Sequence, residues 1–507
     1  MAEKIISTIE NVNNTLNGIV WGWPVIILIL GTGILLTIRT KGLQVRHFPD
    51  SLNSTIIPTL RSLGRKKSAD SRLKSVSQFE AFSTAISGTV GTGNIVGVIS
   101  AILTGGPGAV FWMWISAFFG MVTNYSENVL GLYFRKKDKD GNLSGGAFYY
   151  IAYGLKWKWL GYLAAVFCVF AAIGMSGVQT NKISGTLTEA YARITSTQSS
   201  GSVRLIVGIV VAVITAVVII GGIKRIGRVA SMLVPFMSLL FIIMSLIAII
   251  MNIENIPQAF SLIFSKAFNF RAAGGGILGY SFSQVIKKGM ARGVFSNEAG
   301  LGSSVIAHSA SETREPVMQG LWGVFEVFFD SFIICTLTAI MFLTTFDITA
   351  LSAGVEDSVM SMNMFSDNFG AFGTAVFSVI LPLFAFTTVI AWSYYGEKAV
   401  EFCFGWMKGG SRYAVIVFKI VYVVLIAVSS MIHSELVWAI DDTFNGLMAV
   451  PNLICLVALN GLVAKITKNY FDRKKGRDVT PMLSAYPDMN EEFIEDITAA
   501  QNSEQRK

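Results

Sequence analysis

The sequence predicts an all-α integral membrane protein with about eleven transmembrane helices. Of its 507 residues, 52% are hydrophobic and only 14% are charged, whereas ordinary soluble domains contain about 25% charged residues. The apolar runs are long enough to cross a bilayer, which takes about 20 residues in each case. Two of these runs are interrupted near the middle by glycines and small polar residues. A membrane-embedded bundle with two broken helices follows from these observations.

The candidate spans account for most of the chain. They cover approximately residues 19–38, 79–103, 107–134, 160–178, 203–220, 229–251, 274–309, 317–343, 371–400, 414–432 and 436–463. The first run has no basic region before it and further spans follow it, so no cleaved signal peptide is expected. The four cysteines lie singly in or beside four different spans, which predicts neither a disulfide framework nor a metal site.

The formal charge of +8 is explained by basic loops, and no basic domain suited to nucleic acid is present in the sequence. Lys and Arg cluster in segment 39–75, after the third span, after the fifth span and directly after the last span. With eleven spans these clusters share one side, and short basic loops face the cytoplasm. We expect a plasma-membrane protein with its amino terminus outside. Segment 39–75 is expected on the inner leaflet, and the cytoplasmic tail 466–507 is expected to be solvated and partly disordered after Tyr470.

The second span contains the sequence Ser87-Gly-Thr-Val-Gly-Thr-Gly-Asn94. Glycine in a helix interior costs roughly 1 kcal/mol against alanine. Backbone that leaves the helix inside a bilayer must be buried in protein or line a polar cavity. We expect the helix to break near residues 88–94 and its free peptide groups to bind a ligand. The alternative is a small-residue face for close helix packing.

A second interrupted span contains Phe295-Ser-Asn-Glu-Ala-Gly-Leu-Gly-Ser-Ser304. Two glycine-interrupted spans at corresponding places in two halves are typical of transporters built from inverted repeats. The two segments resemble the signature segments of the alanine-or-glycine:cation symporter family, that is, the sodium:alanine symporters. Nearly the whole chain is similar to that family in length and span order.

The resemblance implies a leucine-transporter-like fold, in which an additional first helix precedes a core of two inverted five-helix repeats. The expected organisation is residues 1–38 for the tail and extra helix, 39–75 for the basic interfacial segment, 76–251 and 252–465 for the repeats, and 466–507 for the tail.

A broken helix offers two kinds of binding group. The free N–H groups that begin its second half suit a carboxylate, and the free carbonyls that end its first half suit a small cation. The predicted substrate contacts are Thr89, Gly91, Thr92, Gly93, Gln179, Phe295, Asn297, Gly300 and Trp392. Each of three residues has an alternative role. Gln179 could cap a helix end, and Asn297 could hold the unwound segment. Trp392 could belong to an interfacial aromatic belt.

The family resemblance also implies a sodium site between the first broken helix and the ninth span. Its expected ligands are the Ser87 and Val90 carbonyls, the Thr387 and Thr388 hydroxyls and, as a fifth, the Phe384 carbonyl. Judged from the residues alone, threonine hydroxyls in membrane helices usually bond back to the preceding turn.

Several ionisable residues lie at membrane depth, where they are hypotheses for function by default. Glu298 is expected to accept N–H groups of the unwound backbone, or alternatively to titrate or complete the cation route. Glu127, Glu326 and Asp330 are expected to make polar contacts within the bundle, and His308 is expected to be structural.

These inferences predict a symporter that imports small neutral amino acids, most specifically alanine or glycine, by alternating access. Sodium is the expected coupling ion, no organic cofactor is expected, and a monomer in the lipid bilayer is expected to function. Proton coupling through Glu298 and a glutamine-type substrate are the alternatives. A channel fits less well because it needs no occluding broken helices. An enzyme is not predicted, since the sequence shows no nucleophile–base pair or clustered metal ligands.

Overall fold

The structure is a computed structural model, and it is a bundle of long helices. It describes residues 2–62, 75–137, 141–196, 201–268, 282–348, 356–407, 410–432 and 434–505. Part of the predicted basic segment, residues 63–74, and the predicted start of the seventh span, residues 274–281, lie outside this set. The span count and the inverted repeat remain predictions.

The first half of the chain begins with short helices and continues with long ones. They are α1 (Ala2–Val20), α2 (Trp23–Arg39), α3 (Leu43–Arg46), α4 (Phe48–Ser54), α5 (Ile56–Ser62), α6 (Gln78–Thr89), α7 (Val96–Gly105), α8 (Ala109–Tyr133), α9 (Ala147–Tyr149), α10 (Lys158–Thr195), α11 (Gly201–Ile219) and α12 (Gly222–Met251). Two short strands, β1 (Lys136–Lys137) and β2 (Leu143–Ser144), pair antiparallel after α8.

The second half also contains both short and long helices. They are α13 (Ile256–Ala267), α14 (Phe282–Asn297), α15 (Val305–His308), α16 (Pro316–Val327), α17 (Thr336–Thr345), α18 (Asp357–Phe404), α19 (Gly410–Ser429), α20 (Ser434–Lys474) and α21 (Pro487–Gln505). A π-helical segment, Phe328–Cys335, joins α16 to α17.

Local sequence explains where several of these helices begin and bend. The Ser77 side chain and Glu80 form a reciprocal capping box at the start of α6, which satisfies free N–H groups at the helix end. Pro24 lies in the first turn of α2, where its missing N–H costs nothing. Gly370 has φ 61° and bends α18, so the predicted start of the ninth span, residue 371, coincides with this kink.

Within the described residues, eight helices or helix pairs are long and apolar enough to cross a membrane. Several of these helices extend beyond the predicted bounds. The fourth span was predicted to end at residue 178, yet α10 continues to Thr195. Asn181 donates to the carbonyls of Ser429 and Ile432, which explains how α10 continues as a buried helix.

The core places both interrupted segments in the middle of the bundle. The central helix α10 packs against α18 and α20, whereas α6 packs against α12 and α18. Helix α8 packs against both α14 and α16. The first and second breaks are therefore surrounded by buried helices, as peptide groups outside regular helix require at membrane depth.

The expectation of a solvated, partly disordered tail after Tyr470 is wrong. Residues 475–505 fold back, and the Ala485 N–H donates to the Tyr133 carbonyl at 2.8 Å. Leu483, Met489 and Phe493 form a buried apolar cluster. Met489 and Phe493 are four residues apart and therefore lie on one face of α21. They give this acidic helix an apolar side, which the overall polarity of the tail did not reveal.

The docking of α21 also completes the surroundings of Arg135, which is fully buried at the end of α8. Its guanidinium donates to the carbonyls of Ser309, Ser311 and Thr313, and it lies 5.4 Å from the centre of the Phe493 ring. Burial and the nearby Arg314 lower the pKa of the Arg135 guanidinium from its usual range. Arg135 thus connects three parts of the chain: the end of α8, the loop that follows α15, and helix α21.

Candidate substrate and sodium site

The first broken helix consists of α6 and α7 with an unwound connection. Helix α6 ends at Thr89, a 3₁₀ turn covers Thr92–Asn94, and α7 begins at Val96. Between them, Gly91 is extended, and Val90 has a non-helical backbone with φ −82° and ψ 88°. The predicted break at residues 88–94 is therefore present, and the alternative of an uninterrupted small-residue helix is wrong.

The free peptide groups of this break are held by two amides. The Gly91 N–H donates to Asn94 Oδ1 at 2.9 Å, and the Thr92 N–H donates to Gln179 Oε1 at 3.3 Å. Since α10 continues well beyond Gln179, this amide is not a cap at a helix end. It belongs to the wall of the first break.

Space at the break is limited at two glycine positions. A Cβ atom on Gly91 would lie 2.5 Å from Thr388 Oγ1 and 3.4 Å from Gln179 Nε2, and a Cβ on Gly93 would lie 3.3 Å from the Phe295 ring. The predicted substrate residues Gly91, Gly93, Gln179 and Phe295 are therefore brought to one place.

The predicted sodium ligands meet only in part. Thr388 Oγ1 lies 2.9 Å from the Ser87 carbonyl oxygen and 3.1 Å from the Phe384 carbonyl oxygen. Thr387 Oγ1 donates to the same Phe384 carbonyl at 2.9 Å, but its other neighbour is Met237 Sδ on α12. The Val90 N–H closes the last turn of α6 on Ile86, so the Val90 carbonyl lies just beyond the helix end.

This set of oxygens fits a small hard cation. Ser87, Phe384, Thr387 and Thr388 are essentially unexposed, and their carbonyls and hydroxyls are the type of ligand that hard cations prefer.

The second break separates α14 from the short helix α15. Glu298, Gly300 and Gly302 all have positive φ, at 55°, 96° and 73°. Glycine tolerates this conformation, whereas at Glu298 it is an uncommon backbone geometry for a side chain. The unwound residues between Asn297 and Val305 leave several peptide N–H groups without helical partners.

Glu127 on α8 supplies the acceptor for these groups. Its Oε1 accepts the Gly300 N–H at 3.1 Å, the Gly302 N–H at 3.0 Å and an N–H of Asn452. Sequence reasoning assigned the binding of the unwound backbone to Glu298 and only a general bundle contact to Glu127. That assignment is wrong, because the Glu298 carboxylate accepts the Trp392 Nε1–H at 2.9 Å and the Ser303 hydroxyl at 2.5 Å.

Asn297 and Trp392 complete the second break. Asn297 accepts the Ala299 N–H at 3.0 Å and donates to Ser331, so it holds the unwound segment. Trp392 is fully buried and lies against Tyr395, which rules out a place in an interfacial belt.

Phe295 belongs to a packed cluster of aromatic and charged side chains. Its ring stacks on Trp438 with centroids 5.5 Å apart. The Arg292 guanidinium lies 5.3 Å and 5.0 Å from the two ring centroids and pairs with Asp442 at 3.1 Å. One side of the Phe295 ring thus faces Gly93 and forms a wall of the site. The ring also packs against Trp438 and Arg292.

Asp330 connects the two breaks and was missed as a site residue. Its carboxylate accepts Asn94 Nδ2 at 2.5 Å from the first break, and the Ser296 hydroxyl at 3.0 Å and the Ser331 hydroxyl at 2.8 Å. The signal available in the sequence was an acidic residue at membrane depth, but sequence alone did not reveal its partners.

Comparison with known proteins identifies the family. A sequence model described as the sodium:alanine symporter family matches residues 6–484. The chain belongs to the sodium:alanine symporter family. This confirms the resemblance that the two interrupted segments indicated, and it confirms a secondary transporter instead of an enzyme.

Relatives within the sodium:alanine symporter family cover nearly the full chain. The sodium/alanine symporter AgcS of Methanococcus maripaludis is 39% identical over 477 residues, which is 91% of this chain and 97% of AgcS. The probable sodium/glutamine symporter GlnT of Bacillus subtilis is 34% identical over 472 residues, covering 93% of this chain and 92% of GlnT. The class of activity is therefore sodium-coupled amino-acid transport across a membrane.

A solved structure supports the fold assigned to this symporter family member. The crystal structure of MhsT in complex with L-phenylalanine has a TM-score of 0.55 to this chain at 14% identity, covering 78% of this chain and 99% of MhsT. The likeness concerns the fold alone, and it confirms the leucine-transporter-like fold that the family resemblance implied.

Proposed function

We propose that this chain is a sodium-coupled symporter that imports alanine or glycine. The observation that supports this most directly is the geometry at Gly91. A Cβ atom added to Gly91 would meet both Thr388, whose hydroxyl bonds the Ser87 carbonyl, and Gln179, whose amide oxygen accepts the Thr92 N–H. Candidate groups for cation and substrate therefore meet at one peptide segment.

The carboxylate of the substrate would bind at the start of the second half of the first broken helix. The N–H groups near Gly91, Thr92 and Gly93 lie where helix N-termini favour an anion. Gln179 Oε1 now accepts the Thr92 N–H, so substrate binding would exchange this amide for the carboxylate. Thr89, Asn297 and the Gly300 segment would complete the site around the amino group.

A small substrate side chain is favoured by the walls of this site. The Phe295 ring lies within contact distance of a Cβ built on Gly93, and Trp392 is held rigidly by Glu298. Such walls leave space for hydrogen or methyl and penalise a longer side chain. AgcS, at 39% identity, is named a sodium/alanine symporter, whereas GlnT, at 34% identity, is named a probable sodium/glutamine symporter.

Sodium would be held by Ser87, Val90, Thr388 and Phe384, with Thr387 contributing through the shared Phe384 carbonyl. Coupling then arises because a cation at the end of α6 and a carboxylate at Gly91–Gly93 bind to the same unwound segment. Each would stabilise the conformation that the other needs, so their affinities are linked. Glu298 already accepts two side-chain donors, which favours sodium over proton coupling through this residue.

We further propose the orientation expected from the basic loops, with the amino terminus outside and the carboxyl tail in the cytoplasm of a multi-pass plasma-membrane protein. The division into repeats at 76–251 and 252–465, and function as a monomer, are part of the same proposal.

Uptake into proteoliposomes tests the transport proposal. Labelled alanine, glycine and glutamine would be offered with a sodium gradient, a proton gradient or neither. We expect alanine and glycine uptake only with inward sodium, and weak glutamine uptake. Proton-driven uptake without sodium, or preferred uptake of glutamine, would contradict it.

A further inference from the structure

A buried pair of ionisable side chains lies just beyond the second break and has no part in the transport geometry described above. His308 ends α15, and Glu326 lies on α16. Their Nε2 and Oε2 atoms are 2.7 Å apart, and both side chains are fully buried. Gln319, also on α16 and fully buried, places its amide nitrogen 2.6 Å from His308 Nδ1.

The hydrogen bonds of this group define its protonation state. An amide nitrogen only donates, so His308 Nδ1 accepts, and the ring hydrogen of a neutral imidazole is then on Nε2. Nε2 donates this hydrogen to the Glu326 carboxylate. The Gln319 carbonyl oxygen Oε1 is left buried without a donor. Buried polar atoms of this kind are uncommon and costly.

One added proton would give Gln319 Oε1 a donor, with the amide nitrogen moving to the position that Oε1 leaves. If the Gln319 amide turns over, its Oε1 faces His308 Nδ1 and can accept a hydrogen there. We propose that His308, Glu326 and Gln319 form a binding site for one proton. In the bound form Nδ1–H donates to Gln319 Oε1, and the second hydrogen is shared between Nε2 and the Glu326 carboxylate. The net charge of the group changes from −1 to 0, and no covalent bond other than N–H or O–H is formed.

The surroundings favour uptake of a proton. Glu326 acts electrostatically on carboxylates of three neighbouring elements: Glu127 of α8, Glu298 of the second break and Asp330 of the π-helical segment. The second carboxylate oxygen of Glu326, Oε1, is buried without a hydrogen-bond partner among the described residues, and the nearby Asn124 amide donates to Ser304 at 3.1 Å. The guanidinium of Arg135 is engaged with the carbonyls of Ser309, Ser311 and Thr313. A buried group with net charge −1 among carboxylates gains by neutralisation.

The proton site is attached to the second broken helix. Helix α15 follows the unwound residues directly, and the loop after it is bound by Arg135. Proton occupancy therefore changes the hydrogen bonds that fix the end of the segment held by Glu127. An effect of this proton on alanine uptake rests on the proposed symport function. Proton binding to His308, Glu326 and Gln319 does not depend on that function.

Nuclear magnetic resonance of a single histidine tests the site directly. The sequence contains three histidines, so replacing His47 and His433 by Gln leaves His308 as the only nitrogen-15-labelled imidazole in the full-length protein in detergent. As the pH falls from about 8 to about 5, the range in which histidine ordinarily changes charge, we expect Nδ1 to pass from the unprotonated to the protonated resonance position. An Nδ1 resonance that keeps its unprotonated position throughout would overturn the proposal.

Two variants test the roles of the partners. Glu326→Gln removes the negative partner and should weaken proton binding at least about tenfold, seen as a fall of one unit or more in the midpoint. Gln319→Met removes the acceptor for Nδ1–H and should weaken it in the same direction. Glu189→Gln changes an exposed carboxylate on α10 and should leave the midpoint unchanged. Equal midpoints in all variants would refute the assigned site even if His308 titrates.

Transport separates this proposal from the one it rests on. Sodium-driven alanine uptake should depend on the internal pH in the unmodified protein and lose that dependence in Glu326→Gln. Titration of His308 without alanine uptake would leave the proton site standing and refute the proposed substrate. Alanine uptake by a protein in which His308 does not titrate would support the proposed substrate and refute the proton site.

Discussion

The hydroxyl of Thr388 lies 2.9 Å from the carbonyl oxygen of Ser87. The first residue belongs to α18 and the second to the last turn of α6, so this contact joins a long helix to the end of the first half of the broken one. A cation held at this junction would respond to any movement of α6 relative to α18. Two of the following predictions concern this junction and the break next to it.

Thr388→Ala should weaken sodium activation of uptake by roughly 10- to 100-fold, as expected for the loss of one buried polar partner worth on the order of 1–3 kcal/mol. Alanine affinity at saturating sodium should change much less, because the two sites are linked but not shared. The measurement is the sodium concentration for half-maximal alanine uptake.

Two further variants sharpen this test. Thr388→Ser keeps the hydroxyl and should restore most of the sodium affinity. Thr387→Ala should have a smaller effect than Thr388→Ala, since the Thr387 hydroxyl faces Met237. Unchanged sodium dependence in Thr388→Ala together with its loss in Glu298→Gln would move the coupling to the carboxylate.

Gly93→Leu should abolish alanine binding without unfolding the protein. Its side chain would project toward the Phe295 ring, which already lies 3.3 Å from a Cβ at this position, and it would cover the peptide N–H groups of the break. Binding of labelled alanine to purified protein measures the effect, and size-exclusion chromatography verifies folding. Gly97→Ala is the matched control, because a Cβ there contacts nothing within 4 Å. Retained alanine affinity in Gly93→Leu would place the substrate elsewhere.

Glu127→Met should destabilise the second break. The substitution removes Oε1, the oxygen that accepts an N–H of Asn452 and the N–H groups of Gly300 and Gly302. Leaving buried N–H groups without an acceptor costs about 1–3 kcal/mol. We expect a lower thermal unfolding temperature in detergent and slower uptake. Glu189→Gln, an exposed carboxylate, is the control, and an unfolding temperature as high as that of the control would show that Glu127 does not support the break.

Cysteine labelling tests the orientation. Single cysteines at Glu10 and Glu495, both exposed, would be introduced after replacing the four native cysteines. A membrane-impermeant maleimide added to intact cells should label the first position and not the second. Labelling of both positions from outside would require an even number of membrane crossings and would refute the eleven-span prediction.

Sequence patterns predicted the parts of the site that depend on local backbone chemistry. The glycines near residue 91 and near residue 300 predicted both helix breaks, since glycine in a helix interior is costly in any context. Gln179, Phe295 and Trp392 were also proposed for the site, and the structure places Gln179 against the first break and Trp392 against the second.

Pairings between distant residues were not predictable in this way. The contact of Asp330 with Asn94 joins residues 236 positions apart, and the roles of Glu127 and Glu298 were exchanged because both are acids beside small residues. A single sequence shows that a buried acid needs partners, but it does not show which helix supplies them.

The return of α21 to the end of α8 has a consequence for biosynthesis. Residues 483–493 leave the ribosome only after α20 has been made, so the carbonyls bound by Arg135 and the apolar surface below Phe493 are covered late. Until then, this surface is available to chaperones and proteases of the membrane quality-control system. A truncated protein that ends at Lys475 would leave this surface permanently exposed. A purification tag placed after residue 507 would leave α21 in place to cover it.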